Sequence, residues 1–373
     1  MNDKNTEKKL IFKPVIAIAP GETLLEVIRS LDITQAELAR RMGRPLKLIN
    51  EIIKGKTSIT PETAVQLEQV LGKPAAFWNN LESMYQDLKI RQEQGNKFKE
   101  MIDEAKKFPY AEMAKHDWVP EARDAVKRVE CLLQFFSVTS FENIIEKAAL
   151  QGAYSISTKH KHSMPAIYAW LRQGVRETEN ISVNDFDKDK LINSLPLIKA
   201  LSKSGPDIFA PELEKIFNEC GIAFVVVPEL TNAPIFGSTR WLAPNKALIQ
   251  MSIRLKWADY FWFHLFHEIG HILFDNKKEF NVDFKENNPR KESEDRASEF
   301  AMDTLISKNH YQEIKTKVEK LKSQGSSFSG EIKSFATQLN IHPGIIVGRL
   351  QHEKVLPYTF NQLRMRLEWV KKD

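Results

Sequence analysis

The chain has 373 residues, which is enough for about two or three domains that each bury an apolar core. Its net charge of +5 is mild, so affinity for nucleic acid must come from a local basic patch. The two cysteines, Cys131 and Cys220, exclude a disulfide framework and a cysteine-based zinc site, and they fit a reducing compartment. Residues 1–9 are charged and no apolar run reaches the roughly 18 residues of a membrane span, so we expect a cytoplasmic protein without a signal peptide or a membrane anchor.

Two short helices joined by a tight turn are predicted near the start of the chain. Thr34 is placed to cap the first helix, and Gly43 is placed to end it. Pro45 falls near the first turn of the second helix, which Gly55 ends. Thr60 then opens a further helix. This pattern predicts a helix-turn-helix, although a plain helical bundle with solvated charges fits the same pattern.

Basic side chains are concentrated in this segment. Between Thr34 and Thr60 there are six basic residues against two acidic ones, an excess suited to contacts with DNA phosphates. The basic residues are Arg40, Arg41, Arg44, Lys47, Lys54 and Lys56, and the acids are Glu37 and Glu51. We therefore take Arg40, Arg44 and Lys54 as candidate DNA-binding residues.

Residues from about 18 to 88 resemble a known family of DNA-binding domains. The segment N-E-I-I-K-G-K-T-S-I-T-P-E-T-A (50–64), with the following F-W-N-N-L, is similar to HigA-type antitoxins of the XRE family. The resemblance implies that Gln35 opens the helix that meets the DNA backbone, and that Lys47 and Asn50 lie on the face of the next helix that reads base edges. It also implies operator DNA, a second copy of the chain in a homodimer and a toxin as partners.

The region 89–205 is predicted to be a helical connector. Its first part, Lys89–Lys97, is charged and extends the N-terminal module, and apolar residues recur at helical spacing in the remainder. His160 and His162 lie in a polar loop and are expected to be solvated. No chemistry is assigned to this region.

The pentapeptide H-E-I-G-H, His267–His271, lies inside an apolar run that predicts a buried helix. On a helix the two histidines share one face, about 6 Å apart along the axis, so both imidazoles can bind one Zn²⁺. Glu268 points off that face and can reach the water that a catalytic zinc activates, as a general base must. The same pentapeptide also arises by chance, but burying three such side chains requires a compensating partner. The pattern therefore predicts a zinc site.

A catalytic zinc needs a third protein ligand and an open position. After the polar segment Asn276–Pro289, apolar residues recur at helical spacing over 291–306 and predict a second amphipathic helix. Glu294 falls on the apolar face of that helix, where an acid needs a partner such as a metal ion. The alternative is an exposed acid in the first turn, favoured by the helix dipole.

Residues from about 206 to 307 resemble a family of peptidases. H-E-I-G-H followed by E-x-x-A-x-x-F-A from Glu294 is similar to the ImmA/IrrE metallopeptidases, gluzincins that hold zinc with two histidines and one glutamate. The family often carries a second acid where this chain has Arg296, which favours Glu294 as the ligand. A likely strand, 221–227, and the segments 237–242 and 247–252 that follow it resemble the lead-in of the family and indicate a small antiparallel sheet. Members of the family cleave repressor proteins, so the resemblance implies a repressor as the substrate.

The region 308–373 is predicted to add two or three helices, with a break at Ile341–Gly344. The sequence I-H-P-G-I-I-V-G-R-L-Q that starts there resembles the end of fused antitoxin–peptidase proteins.

His264 shares the helix stripe of the two motif histidines. It could support a ligand, compete as a ligand, or simply hydrogen-bond a backbone carbonyl, and we favour the carbonyl because three histidines of one helix face rarely reach one tetrahedral ion. A group that stabilises the developing oxyanion is also expected. Tyr260, His342 and Tyr358 are candidates, and no spacing selects one of them.

These observations predict a mainly α protein with a small antiparallel β-sheet, in the α+β class. The expected divisions are a flexible tail 1–13, a helix-turn-helix domain 14–88, the connector 89–205, a zinc metallopeptidase core 206–307 and a helical region 308–373. The expected function is a DNA-binding transcriptional regulator fused to a zinc endopeptidase in which His267, His271 and Glu294 bind Zn²⁺ and Glu268 is catalytic. The alternative is an antitoxin-type transcriptional repressor whose peptidase-like domain is a non-catalytic sensor or structural module.

Overall fold

The computed structural model describes residues 18–144, 153–156, 163–275 and 289–369. The chain divides into two compact units, 1–100 and 101–373, and each has its own apolar core. The predicted tail 1–13 and the two loop histidines, His160 and His162, lie outside the described residues.

From residue 18 onward, the first unit is a bundle of five helices: α1 Pro20–Ser30, α2 Gln35–Met42, α3 Leu46–Ile53, α4 Pro61–Leu71 and α5 Ala75–Glu100. The predicted helix ends are confirmed, because the Thr34 hydroxyl accepts a hydrogen bond from the Glu37 amide and Gly43 ends α2 in the left-handed region, at φ 62°. Thr60 caps α4 in the same way. Apolar side chains of the bundle close around Trp78, which is completely buried. α5 continues through the charged stretch 89–97.

The second unit begins with helices. These are α6 Ile102–Ala105, α7 Tyr110–Lys115, α8 Ala125–Phe136, α9 Met164–Glu177, α10 Lys188–Ala200 and α11 Pro206–Glu219. The expected helical character of the middle region is therefore present, but a short strand, β1 Ala153–Ile156, also lies there and was not predicted.

The sheet contains three further strands, β2 Ile222–Val226, β3 Ile235–Ala243 and β4 Lys246–Met251, in the order β1-β3-β4-β2. β3 pairs antiparallel with both β1 and β4, whereas β2 pairs parallel with β4. The α+β class is confirmed, but the sheet is mixed rather than antiparallel. The sequence of β2 explains its parallel pairing, since a continuous apolar run is typical of a parallel strand covered on both faces.

Five helices complete the unit: α12 Ala258–Phe274, α13 Pro289–Leu305, α14 Lys308–Ser323, α15 Ser329–Leu339 and α16 Pro343–His352. α12 is the central element, and α13 packs closely against it at Gly270, where an added Cβ would lie 3.1 Å from the Cα of Ala297. Within the described residues, no helix combines the length and apolar character that crossing a membrane requires.

The C-terminal segment holds the start of α12 in place. The amide of Ala258 donates to the carbonyl of Met365 at 2.9 Å. The guanidinium of Arg364 donates to both carboxylate oxygens of Asp259, at 2.9 and 2.8 Å, and both side chains are buried. Residues more than 100 positions apart in the chain thus fix the helix that carries the H-E-I-G-H motif.

Candidate metal centre and nucleic-acid interface

The structure brings His267, His271 and Glu294 together. α12 places the two histidines one turn apart, with 3.0 Å between their Nε2 atoms. Glu294 reaches them from α13, with one carboxylate oxygen 3.2 Å from Nε2 of His267 and the other 3.6 Å from Nε2 of His271. Among the described residues, these three form the group of His, Cys, Asp and Glu side chains that could hold a metal ion.

The separation of these ligand atoms fits a zinc ion. In a tetrahedral site with bonds of about 2.0–2.1 Å, neighbouring ligand atoms lie about 3.3 Å apart. The three observed separations of 3.0, 3.2 and 3.6 Å bracket that value. Two imidazoles and one carboxylate are also a donor set that suits zinc. The residues present therefore fit the ion that the sequence predicts.

Neighbouring side chains orient both imidazoles with Nε2 toward this space. Nδ1 of His271 lies 2.7 Å from a carboxylate oxygen of Asp275, which assigns the ring proton to Nδ1 and the lone pair to Nε2. Nδ1 of His267 lies 3.2 Å from the hydroxyl of Ser298. With its lone pair on Nε2, His271 faces the carboxylate of Glu294 across this space, and such converging acceptors are the arrangement that a cation stabilises.

Asp275 is itself held by α13. The hydroxyl of Ser293 donates to it at 2.7 Å, and the guanidinium of Arg296 donates to it at 3.0 Å. Burial acts to raise the pKa of Asp275, but hydrogen bonds from His271 and Ser293 outweigh burial and lower that pKa. Arg296, which stands where the resembled family often has an acid, thus supports the charge that orients His271.

Asp275 and Ser298 were not predicted as parts of the site. Asp275 follows His271 by four residues and so continues the stripe of His267 and His271, which was a usable signal. Ser298 follows Glu294 by the same spacing on α13. The periodicity that identified the ligands would therefore also have identified their supports.

Glu268 lies beside the ligands without joining them. Its side chain is buried, and its Oε1 has no hydrogen-bond partner. Burial raises the pKa of Glu268, against the opposing effect of the two nearby imidazoles. Gly237 of β3 makes this position possible, because a Cβ there would lie 2.7 Å from Cγ of Glu268. The site thus places the carboxylate of Glu268, which is more basic than that of an ordinary glutamate, beside the three candidate ligands.

Glu294 is partly exposed to solvent and lies close to the imidazoles of His267 and His271. Burial acts to raise its pKa, but the hydrogen bond with His267 and the charges of both imidazoles outweigh burial and lower it. Its side chain remains 34% exposed, so the ligand group is open on this side.

The hydrogen bond to a backbone carbonyl that we favoured for His264 is not made by Nδ1. Its ring stacks on Phe236 with 4.1 Å between centroids, and its buried Nδ1 has no partner. Burial lowers the pKa of His264 to about 3, so the ring is neutral.

Two of the three candidates for oxyanion stabilisation have surroundings that the structure describes clearly. The ring of His342 caps a helix and accepts a hydrogen bond from the amide of Gly344. Tyr358 is 58% exposed to solvent.

The predicted DNA-binding residues lie on α2, on α3 and beside them. Gln35 begins α2, Lys47 and Asn50 lie on α3, and Lys54 directly follows α3. The side chain of Lys47 is 84% exposed, whereas Asn50 is half-buried. These positions leave α3 available for contact with a groove.

The arginines of this surface are already engaged by acids. Hydrogen bonds from Arg40 and Arg41 lower the pKa of Glu37 to about 2. Arg44 pairs with Glu62 at 2.5 Å and donates to the Gln66 side chain at 2.9 Å, so it is tied to α4. These ion pairs therefore neutralise part of the positive charge that the sequence places in this segment.

The N-terminal unit matches known proteins. The family model described as Helix-turn-helix matches residues 24–78. The HTH-type transcriptional regulator YddM of Escherichia coli strain K12 is 30% identical over 66 residues, which cover 18% of this chain and 70% of that protein. Virulence-associated protein I of Dichelobacter nodosus is 33% identical over 78 residues, which cover 21% of this chain and 71% of that protein.

A solved structure of an addiction module antidote protein of the HigA family from Coxiella burnetii is 32% identical, covering 22% of this chain and 92% of that chain, with a TM-score of 0.22. The family match covers the helix pair α2–α3. Through its N-terminal unit, the chain belongs to the helix-turn-helix family of DNA-binding transcriptional regulators.

Proposed function

We propose that this DNA-binding regulator carries a zinc-dependent endopeptidase in its second unit. The observation that supports this most strongly is the convergence of His267, His271 and Glu294 beside the buried carboxylate of Glu268. A protein substrate, and in particular a repressor, is suggested by the resemblance to the ImmA/IrrE peptidases.

His267, His271 and Glu294 would hold the metal. When bound, zinc supplies a Lewis acid that polarises a peptide carbonyl and makes water more acidic. Glu268 takes the proton of the attacking water, because burial raises the pKa of its carboxyl and makes its carboxylate a stronger base. The same carboxyl then donates that proton to the leaving amine nitrogen. Asp275 keeps the proton of His271 on Nδ1 throughout, so that Nε2 remains a ligand atom.

A metal analysis tests the first step of this proposal. The purified chain should hold about one zinc ion, and His271→Ala should lose most of it because two ligands retain zinc poorly. Asp275→Asn should keep the fold but weaken zinc binding by about 10- to 100-fold, since it removes the charge that orients His271. Elemental analysis and competition with a chelator measure both effects.

Glu299→Gln is the matched control, because it removes one negative charge from the exposed face of α13. It should bind zinc as the unmodified chain does. Full zinc content in His271→Ala would contradict the ligand set.

The first unit is proposed to read an operator through α3. In the 373-residue chain, Lys47→Ala and Asn50→Ala should reduce the preference for the upstream DNA of its own gene over unrelated DNA. Arg40→Ala should instead weaken binding to all sequences alike and lower the salt dependence by about one phosphate contact. Gel-shift titrations at several salt concentrations measure both effects.

Lys73→Ala serves as the control for charge, because Lys73 is exposed and lies beyond the α2–α3 pair. Loss of binding to all sequences in Asn50→Ala would argue that α3 does not read bases.

A further inference from the structure

One arginine of the sheet is buried without a counter-charge. Arg240 lies in β3 with only 7% of its surface exposed, and its Nε has no hydrogen-bond partner. Burial lowers the pKa of Arg240 to about 10, so the guanidinium still carries its proton at neutral pH. Among the described residues, no carboxylate acts to raise that pKa again. A buried charge of this kind is strongly destabilising unless an opposite charge compensates it.

Arg240 points away from the metal centre. Gly237 of the same strand packs against Glu268, and side chains alternate along a strand, so Arg240 lies on the opposite face of the sheet. α9 covers that face, because the side chain of Gln250 on β4 donates to the backbone carbonyl of Trp170 on α9 at 2.7 Å. The sheet therefore separates the surroundings of Arg240 from the three candidate zinc ligands.

α9 supplies a second arginine to the same place. Arg172 is near enough for its charge to act on Arg240 and to lower the pKa of that side chain further. Arg172 donates through Nε to the carbonyl of Phe135 and through Nη2 to the hydroxyl of Ser137, both at 2.9 Å, and these bonds do not use its Nη1. The carboxylate of Glu179 lies 3.8 Å away and is 61% exposed, so it offsets little of this charge.

The charge and the burial of this pair favour a phosphate group on a small molecule. Two guanidinium groups carry about +2, which matches the charge of roughly −1.5 to −2 on a phosphate monoester at pH 7 better than the single charge of a carboxylate. Guanidinium groups also donate paired hydrogen bonds to phosphate oxygens. Because Arg240 is almost wholly buried, a nucleic-acid backbone or a membrane surface cannot reach it, whereas a small ligand can.

We propose that Arg240 and Arg172 bind the phosphate group of a small ligand, on the face of the sheet opposite the metal centre. The phosphate could be inorganic phosphate or the end of a phosphate ester. This site does not require the peptidase function proposed above. It assigns a binding role to part of the middle region, where the sequence indicated no chemistry.

Thermal unfolding of the 373-residue chain tests the proposal. Inorganic phosphate, adenosine monophosphate and glycerol phosphate are added separately at matched ionic strength, with sodium chloride as the reference. At least one of them should raise the melting temperature of the second unit by about 4 °C or more at a concentration about 100-fold above its Kd. Comparison of the two esters with inorganic phosphate identifies the source of the phosphate. If none of the three compounds stabilises the second unit, the proposal is wrong.

Arg240→Met distinguishes a ligand site from a structural ion pair. Methionine is apolar and removes a charge that, under this proposal, has no partner within the chain. In phosphate-free buffer the variant should therefore melt at the same temperature as the unmodified chain or at a higher one, and phosphate should no longer stabilise it. A large fall in the melting temperature in phosphate-free buffer would overturn the proposal, because the chain itself would then supply the counter-charge.

Further variants make the assignment specific. Arg172→Gln should raise the ligand concentration needed for a given stabilisation about tenfold or more, through loss of one charged hydrogen-bond donor. Arg123→Gln is the matched control, since it removes an exposed arginine of the same unit and should respond as the unmodified chain does.

Two other variants exclude other phosphate sites. Phosphate can also bind a zinc ion or a DNA-binding surface, so His271→Ala and Arg40→Ala should keep the full response to phosphate. A response that is lost in either of these variants but retained in Arg240→Met would overturn the proposed site.

Discussion

Glu268→Gln is expected to abolish peptide hydrolysis while the zinc content, the fold and the DNA binding stay unchanged. Glutamine keeps the size of the side chain but cannot take a proton from water, and loss of a general base typically costs about 10²- to 10⁴-fold in rate. Because Glu268 lies beside the ligand atoms rather than among them, the metal should remain. The measurement is a comparison of protein fragments by mass spectrometry after expression of each form with the proteins encoded next to it.

His271→Ala is the companion variant, and it should lose both the metal and the activity. Cleavage within the chain itself is expected in the charged stretch 89–107, at the break between α5 and α6 where the two units divide. If the unmodified chain and Glu268→Gln give identical fragments under several stress conditions, the alternative is favoured. In that alternative, the second unit is a non-catalytic sensor or structural module.

Arg364→Leu is expected to destabilise the second unit by about 3–5 kcal/mol, because it leaves the carboxylate of Asp259 buried without its partner. Burial raises the pKa of Asp259, and Arg364 acts to lower it. Without Arg364, ionising the buried carboxyl would cost more free energy. Chemical denaturation followed by circular dichroism measures the loss of unfolding free energy.

Arg366→Leu is the matched control, since Arg366 is exposed and lies 5.3 Å from the ring centroid of Trp257, a contact typically of about 0.5–1 kcal/mol. The double variant Asp259→Leu with Arg364→Met should recover most of the stability, because it removes both charges together. A loss in Arg364→Leu no larger than in Arg366→Leu would show that the buried pair does not hold α12.

The convergence of His267, His271 and Glu294 could be predicted because its geometry is local. The spacing of His267 and His271 places them on one helix face in any helix, and the apolar periodicity of α13 places Glu294 toward the interior. Helix ends such as Thr34 and Gly43 are equally local, since the residue itself makes the capping contact.

Other features that were not predicted depend on distant parts of the chain. The parallel pairing of β2 with β4 places a strand beside one that begins 20 residues after it ends, and hydrophobic pattern alone does not choose a neighbour. The contact between Arg364 and Asp259 spans 105 positions. Arg44 likewise finds its partner 22 positions away, on α4. Local periodicity contains no information on these pairings.

α13 carries Glu294 and, about 6 Å farther along the same helix, Ser298. Glu294 lies close to both histidines and Ser298 lies close to Nδ1 of His267, so one helix supplies a candidate ligand and a support for another. Under the proposed function, a displacement of α13 would loosen both contacts together. Thermodynamic linkage makes that effect reciprocal: a bound metal would hold α13 against α12 by the same factor by which the packing of the two helices tightens metal binding.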